Sequence, residues 1–562
     1  MRSKRALRQL VRRELRRLSR RERLTLSRRE LLKMGLVASG GALLPLGRVA
    51  ADSDSDSDSV SEDGGQSPPV DAFQRDLPIP EVLNPVTSFS VGPREPQCAL
   101  DVPGFPDLPP PLLYEIPVEF GMQEIIPGLP TEIWGYTGVY PAPTISVTRN
   151  QPIVVRFINN IDVELSTHNH GGHTSEESDG FPNFFIEPGH FRDYCYPNIS
   201  PDDDDADFTS TQWYHDHAMD ITGENVYMGL AGFYLLTDNL EQSLNLPRDE
   251  FDVPMVFQDR LFDADGTLIY DPMDHDGVIG DRFLVNGVIQ PRFHVQRTQY
   301  RFRILNGCNA RVLALKRSDG QPLLQIAADS WLLPHAIEVP HLLLSPAERA
   351  EVIIDFSDMP PGTELFLTNH LTHGLDDGRG PEEDVDEPED WPQQGTPWLK
   401  LVVDGSSAGR RTGKVRAGNT GTIRPGDPLR PHNPIHPDEI VRTRRFEFER
   451  SHGAWVINDE FFDPDRDDAD PQLGTAERWI IENDSGGWVH PIHIHLEGQQ
   501  IQRIAGHAPA PHEAAKKDTV LLGDFNATVF IKFRTFPGRF VFHCHNIEHE
   551  DMRMMGVFNV QP

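Results

Sequence analysis

The 562-residue chain is short of lysine. Only Lys4, Lys33, Lys316, Lys400, Lys414, Lys516, Lys517 and Lys532 occur, so arginine supplies most of the 52 basic residues. These face 86 acidic residues, for a formal net charge of −34. A surface of that sign repels phosphate backbones and argues against a nucleic-acid partner. It also repels itself, and concentrated salt shortens the reach of that repulsion. An acidic, lysine-poor surface is the expectation for a protein of a salt-rich medium. Cysteine is scarce too, at Cys98, Cys195, Cys308 and Cys544. In an oxidising compartment a disulfide among the first three would leave one thiol over. Long hydrophobic runs are missing: beyond the N-terminal region nothing approaches the roughly 20 apolar residues of a bilayer-spanning helix. No stable membrane insertion of a mature chain is expected.

The N-terminus reads as an address. Ser27-Arg28-Arg29-Glu30-Leu31-Leu32-Lys33 is a twin-arginine pattern, followed by an apolar run from Met34 to Leu46 and a small-residue cleavage site at Val49-Ala50-Ala51. Residues 1–51 are therefore expected to be a signal region, with the mature chain secreted or held at the cell surface. The alternating Asp and Ser from Asp52 to Ser59 cannot build a core, and residues 52–74 read as an acidic disordered linker.

The chain is punctuated by 49 Pro and 45 Gly, which suits short strands and turns. Thr144-Ile145-Ser146-Val147, Ile153-Val154-Val155-Arg156-Phe157 and Tyr300-Arg301-Phe302-Arg303-Ile304 are β-rich runs bounded by turn residues. They predict an all-β protein of three β-sandwiches in series, over 75–240, 241–404 and 439–562. Residues 405–438, rich in Gly, Pro and Arg, read as a linker. The acidic stretch from Asp376 to Asp390 reads as an exposed loop.

Four His-x-His pairs stand out: His168/His170, His215/His217, His493/His495 and His543/His545. Random placement of 23 histidines predicts roughly one, so four is an excess. On a strand, residues two apart share a face, so each pair presents two imidazoles together. Neutral imidazole ligates copper, zinc, iron or nickel. Between His543 and His545, Cys544 faces the opposite way. His549 and Met554 follow at five-residue steps, and His490 lies an odd number of residues from His493 and His495. Two His, one Cys and a weak axial Met make a blue-copper electron-transfer site. Met552 and Met555 lie near enough to compete, and the spacing from His549 favours Met554. Histidines without motif support, such as His173, His335, His341, His370, His373 and His452, read as ordinary surface or core residues.

These segments (His168-Asn169-His170-Gly171, Trp213-Tyr214-His215-Asp216-His217, His490-Pro491-Ile492-His493-Ile494-His495 and the run from His543 to Met554) resemble the laccase-type multicopper oxidases. Gly171-Gly172, Ser178-Asp179-Gly180 and His217-Ala218-Met219 look most like the bacterial spore-coat laccase and bilirubin oxidase branch. The resemblance implies three cupredoxin-like Greek-key domains and four coppers. It places His490, Cys544, His549 and Met554 on the type 1 ion, and His168 and His493 on type 2. It places His170, His215, His217, His495, His543 and His545 on the type 3 pair. Asn169 departs from the aromatic or aliphatic residue usual between the first two histidines. Glu550 and Asp179 match acidic positions of that branch and are the candidate proton donors. The implied reaction is one-electron oxidation of a small reductant (a phenol, an aromatic amine or a metal ion) coupled to reduction of dioxygen to water. A copper-binding electron carrier would need only the type 1 set and leave eight histidines unexplained. A cuprous or metal oxidase for copper tolerance is a variant of the same chemistry, for which a Met-rich insert is absent.

Overall fold

The computed structural model describes residues 67–562 except 99, 101, 208–209, 376–377, 386, 406–420, 452 and 514. The twin-arginine region, most of the acidic linker and His452 lie outside the described residues.

Six sheets form three sandwiches along the chain. In the first, one four-stranded sheet is built on the parallel pair Leu112–Gln123 and Ile153–Asn159, and its facing sheet on the parallel pair Ala142–Thr148 and Ala231–Thr237. In the second, a seven-stranded sheet contains the parallel pair Asp252–Arg260 and Gln299–Asn306. Its five-stranded partner contains the parallel pair Arg292–Val295 and Thr396–Val403. The third sets a six-stranded sheet, with parallel Ile440–Ser451 and Ala476–Asp484, against a four-stranded antiparallel one. Parallel neighbours distant in sequence require crossovers, so these are Greek-key-like sandwiches rather than meanders.

Alternation explains the cores. In Leu112–Gln123, Tyr114, Ile116 and Val118 point inward and meet Trp134, Tyr136, Phe157 and Tyr214. Phe302, Ile304 and Trp398 anchor the second core; Phe446, Trp479, Phe542 and Phe558 anchor the third. Much of the charge in these interiors is paired. Arg156, fully buried in strand Ile153–Asn159, makes two hydrogen bonds to Asp193, at 2.6 and 2.7 Å.

Three stretches differ from the reading of the sequence, each because distant packing supplies what local composition lacks. Ordered chain is present from Ser67, within the expected linker: Ser67 is buried and donates its backbone N–H to Asp281 at 3.0 Å. Leu77, expected in the first domain, packs into the core of the middle sandwich. The described part of the second expected linker, 421–438, is a strap. Ile423 and Leu429 pack beside Trp331 and Leu333, Arg430 bonds Asp238 at 2.8 Å, and Ile435 packs against Ala476 and Phe530. The acidic loop is partly held too, with Val385 and Trp391 buried and Arg379 donating to the carbonyls of Gly486 and Gly487 at 2.6 and 3.0 Å.

Cys98 and Cys195 form a disulfide, while Cys308 and Cys544 are buried free thiols. The bridge spans 97 residues, and the loop-closure entropy it removes from the unfolded chain corresponds to about 4–5 kcal/mol. Cys195→Ser is expected to lower the thermal midpoint by several degrees while the rest of the fold persists; an unchanged midpoint would show that the bridge adds nothing to stability.

Candidate metal centre

Two antiparallel pairings carry the histidine motifs. Strand Thr167–His170 pairs with Thr211–Asp216, setting His168 opposite His215. Strand His490–Ile494 pairs with Gly538–Cys544, setting His493 opposite His543 and Ile492 opposite Cys544. The first pair belongs to the first sandwich and the second to the third. Their histidines meet between the two. His168 Nε2 lies 3.4 Å from His493 Nε2, and His543 Nε2 lies 3.2 Å from His217 Nε2 and 3.3 Å from His495 Nε2. The His170 ring stacks on His493 at 3.7 Å, and the His545 ring is 5.3 Å from those of His170 and His215. All eight are buried.

Backbone and carboxylate acceptors orient the rings. The Nδ1 atoms of His168, His215 and His493 face the carbonyls of Asp179, Asp216 and Asp518 at 2.5, 2.8 and 2.8 Å. His495 Nδ1 faces Asp179 Oδ2 at 2.7 Å. Donation there leaves each Nε2 lone pair directed at the neighbouring histidines. Burial lowers His215 to about 3 and His217 to about 4. Burial, then neighbouring imidazoles, pushes His168, His170, His493, His495 and His545 well below the usual range. Burial thus favours the neutral form of these seven rings. His170 Nδ1, His215 Nε2 and both nitrogens of His545 have no hydrogen-bond partner among the described residues. Such a concentration of desolvated, mutually facing lone pairs is costly without a cation. The donor set fits copper: uncharged imidazoles in three-residue groups whose ligand atoms lie within 4.8 Å of one another.

On the other face of the strand, Cys544 Sγ lies 3.4 Å from His490 Nδ1 and 3.5 Å from His549 Nδ1, with the two nitrogens 3.2 Å apart. Ser485 Oγ, 2.8 Å from His490 Nε2, holds that ring. Burial pushes the Cys544 thiol up, so a thiolate here requires a cation. Fully buried Met554 shares an apolar cluster with Cys544; Met555 lies in a different cluster and Met552 is only partly buried. Trp455 lies 4.0 Å from the His549 ring, centroid to centroid, with its indole N–H on the His275 carbonyl at 2.7 Å. Half-buried Trp488 completes an aromatic edge, and the Arg450 guanidinium sits 5.0 and 5.2 Å from the two indole rings.

Both acids singled out in the sequence adjoin the cluster. Asp179 is buried on the short helix Glu176–Asp179, and burial, reinforced by Glu176, pushes its carboxyl well above the usual range. Glu550, on helix Ile547–Asp551, places its oxygens 3.2 Å from His543 Nδ1 and 3.5 Å from His217 Nδ1. Two acids escaped the sequence reading. Asp216 accepts from the backbone of Ser166 and Ala218 at 3.0 and 2.9 Å, and burial raises it to about 7. Asp518 sets Oδ1 3.0 Å from His170 Nε2. Asp216 is visible within Trp213-Tyr214-His215-Asp216-His217; Asp518 has no spacing that marks it. His173, His370 and His373 are buried but, like exposed His335 and half-buried His341, belong to no ligating group among the described residues.

Residues 119–241 and 431–562 each match a multicopper oxidase family. The bilirubin oxidase of Albifimbria verrucaria is 36% identical over 464 residues, 79% of this chain and 76% of that protein. This chain belongs to the multicopper oxidase family. A laccase of Bacillus stratosphericus is 31% identical over 548 residues, 86% of this chain and 98% of that protein. The crystal structure of a laccase from Pediococcus acidilactici superposes with a TM-score of 0.72 at 28% identity, covering 88% of this chain and 95% of that one. The three sandwiches are accordingly the cupredoxin-like domains of an oxygen-using oxidoreductase family that binds four coppers.

Replacing Cys544 by Ser removes the only thiol from the His490–His549 site. Copper-loaded C544S is expected to lose the intense blue absorption and one copper per chain while the histidine cluster stays filled. Retention of the blue band would show that the thiolate is not its source.

Proposed function

We propose that this multicopper oxidase is an exported, laccase-like enzyme that takes electrons singly from phenolic or related aromatic reductants and delivers them to dioxygen, forming water. The observation that carries the reading is the covalent junction of two sites: Cys544 belongs to one, and its neighbours His543 and His545 to the other. His490, Cys544, His549 and Met554 would hold the type 1 copper. His168 and His493 would hold type 2, and His170, His215, His217, His495, His543 and His545 the type 3 pair. Copper bound at these positions supplies reversible one-electron chemistry and a binding place for oxygen.

The chain's own residues do the rest. Trp455, Trp488 and Arg450 give the type 1 side an aromatic, cation-bearing edge suited to an aryl reductant. Burial of all eight cluster histidines excludes bulk water from the oxygen-reducing side. Oxygen reduction consumes protons, and Glu550 and Asp179 place carboxyl groups against His217, His543 and His495, where protons can be held and passed. Export is supported by the twin-arginine pattern and by the Cys98–Cys195 disulfide, a bond of oxidising compartments. Among the described residues no helix is long and apolar enough to cross a membrane. The acidic, lysine-poor composition supports a high-salt setting.

Copper analysis of protein matured in high salt is expected to give about four ions per chain. About one would leave only the type 1 set, and the electron-carrier reading would replace this one. Glu550→Gln is expected to slow oxygen uptake by about 10²-fold, the scale of a lost proton-transfer carboxylate, with the blue absorption intact; unchanged turnover would remove Glu550 from proton delivery.

A further inference from the structure

The middle sandwich contributes none of the proposed copper ligands, yet it reaches the cluster. Arg349, at the start of strand Arg349–Asp355, is buried and makes two hydrogen bonds to Asp518: Nη1 to Oδ1 at 2.7 Å and Nη2 to Oδ2 at 2.5 Å. Asp329, also of the middle sandwich, holds the same segment by its backbone. Its Oδ2 accepts the N–H groups of Asp518 and Thr519 at 3.0 and 3.2 Å, and its Oδ1 accepts the N–H of Arg349 at 3.1 Å. Asp518 in turn touches two cluster histidines. Oδ1 is 3.0 Å from His170 Nε2, and its carbonyl is 2.8 Å from His493 Nδ1.

The same neighbourhood grips the first sandwich. Arg349 Nη2 donates to Ser330 Oγ at 2.6 Å, and Ser330 Oγ donates to the carbonyl of Thr211, at the head of the strand that carries His215. Gly171, next to His170, has φ of +85° and lies so close that a Cβ there would meet Ser330 Oγ, with Arg349 Nη2 and Asp518 Oδ2 each at 3.0 Å. Side chains from all three sandwiches therefore meet at one edge of the cluster.

We propose that Arg349 and Asp329 are positioning residues for the histidine cluster: by fixing Asp518 they set the ring orientation of His170 and His493, so the ligand-free middle domain determines the geometry of the copper site. The consequence is chemical. A carboxylate accepting from His170 Nε2–H leaves Nδ1 as that ring's lone pair, and Nδ1 is the atom left without a hydrogen-bond partner among the described residues. A carbonyl accepting from His493 Nδ1–H leaves Nε2, which faces His168 Nε2 at 3.4 Å. The planar guanidinium fork supplies two fixed hydrogen bonds to one carboxylate, which a lysine ammonium cannot reproduce.

This inference rests on the proposed oxidase function, and the type 1 absorption keeps the two separable. The variants are Arg349→Met, Arg349→Lys and the shape-conserving Asp518→Asn. The readouts are copper per chain, the electron paramagnetic resonance signal of type 2 copper, and the blue absorption. R349M and D518N are expected to keep the blue band while losing about one cluster copper or changing the type 2 signal, with R349K intermediate. Wild-type copper content and an unchanged type 2 signal in both R349M and D518N would overturn the proposal. Should R349M fail to fold, D518N decides: an altered type 2 signal supports the proposal and a wild-type signal overturns it. A wild-type chain carrying about one copper would overturn the oxidase reading itself, and this inference with it.

Discussion

Eight imidazoles, taken out of water and directed at one another, set the terms for the rest of this molecule. Each ring loses hydration, and several lone pairs face other lone pairs at 3.2–3.4 Å. Such a site is tolerable where rings are held from behind and a cation fills the front. The surrounding acceptors answer the first requirement: the carbonyls of Asp179, Asp216 and Asp518 and the carboxylates of Asp179 and Glu550. Copper answers the second. Two sandwiches must also be held face to face, because neither contains more than half of the cluster.

That requirement gives purpose to features that otherwise look incidental. The strap of 421–438 packs on the middle and third sandwiches and reaches Asp238 with Arg430, tying domains whose relative placement the cluster needs. The N-terminal segment, through Leu77, joins the middle core. The middle domain acts as a frame on which the other two are registered, and one of its buried ion pairs, between Arg349 and Asp518, falls beside the cluster. Buried charge pairs of this kind add little net stability, because desolvation offsets attraction, but they penalise misplacement heavily. Position is what the metal centre needs.

The type 1 side obeys a different rule. Its ligands come from one strand pair and the turn beyond it, so its geometry is nearly local: Ile492 pairs with Cys544, and the short helix Ile547–Asp551 returns His549 toward the sulfur. Two indoles, buried Trp455 and half-buried Trp488, flank the site. Trp455 and Trp488 with Arg450 distinguish this edge from the carboxylate-rich surface expected over the rest of the chain. The two proposed metal sites are separated by the thickness of a single strand.

The sequence by itself determined the β architecture, the opposite facing of Cys544 and its flanking histidines, and the ligand types. The first two rest on the two-residue period of a strand, which any stretch of chain carries in its own order, and the third on side-chain chemistry alone. His168, His170, His215, His217, His493, His495, His543 and His545 were legible as pairs, and Met554 stood out only as a candidate by its step from His549. Their convergence into one cluster, the pairing of Cys98 with Cys195, and the approach of Asp518, Asp329 and Arg349 were decided only in tertiary structure. So was the packing of 67–77 and 421–438, stretches whose composition reads as linker. The reason is range. Periodicity records which face a residue takes, but which distant face it meets depends on how separate sheets pack, and a single buried arginine or aspartate leaves no repeating mark along the chain.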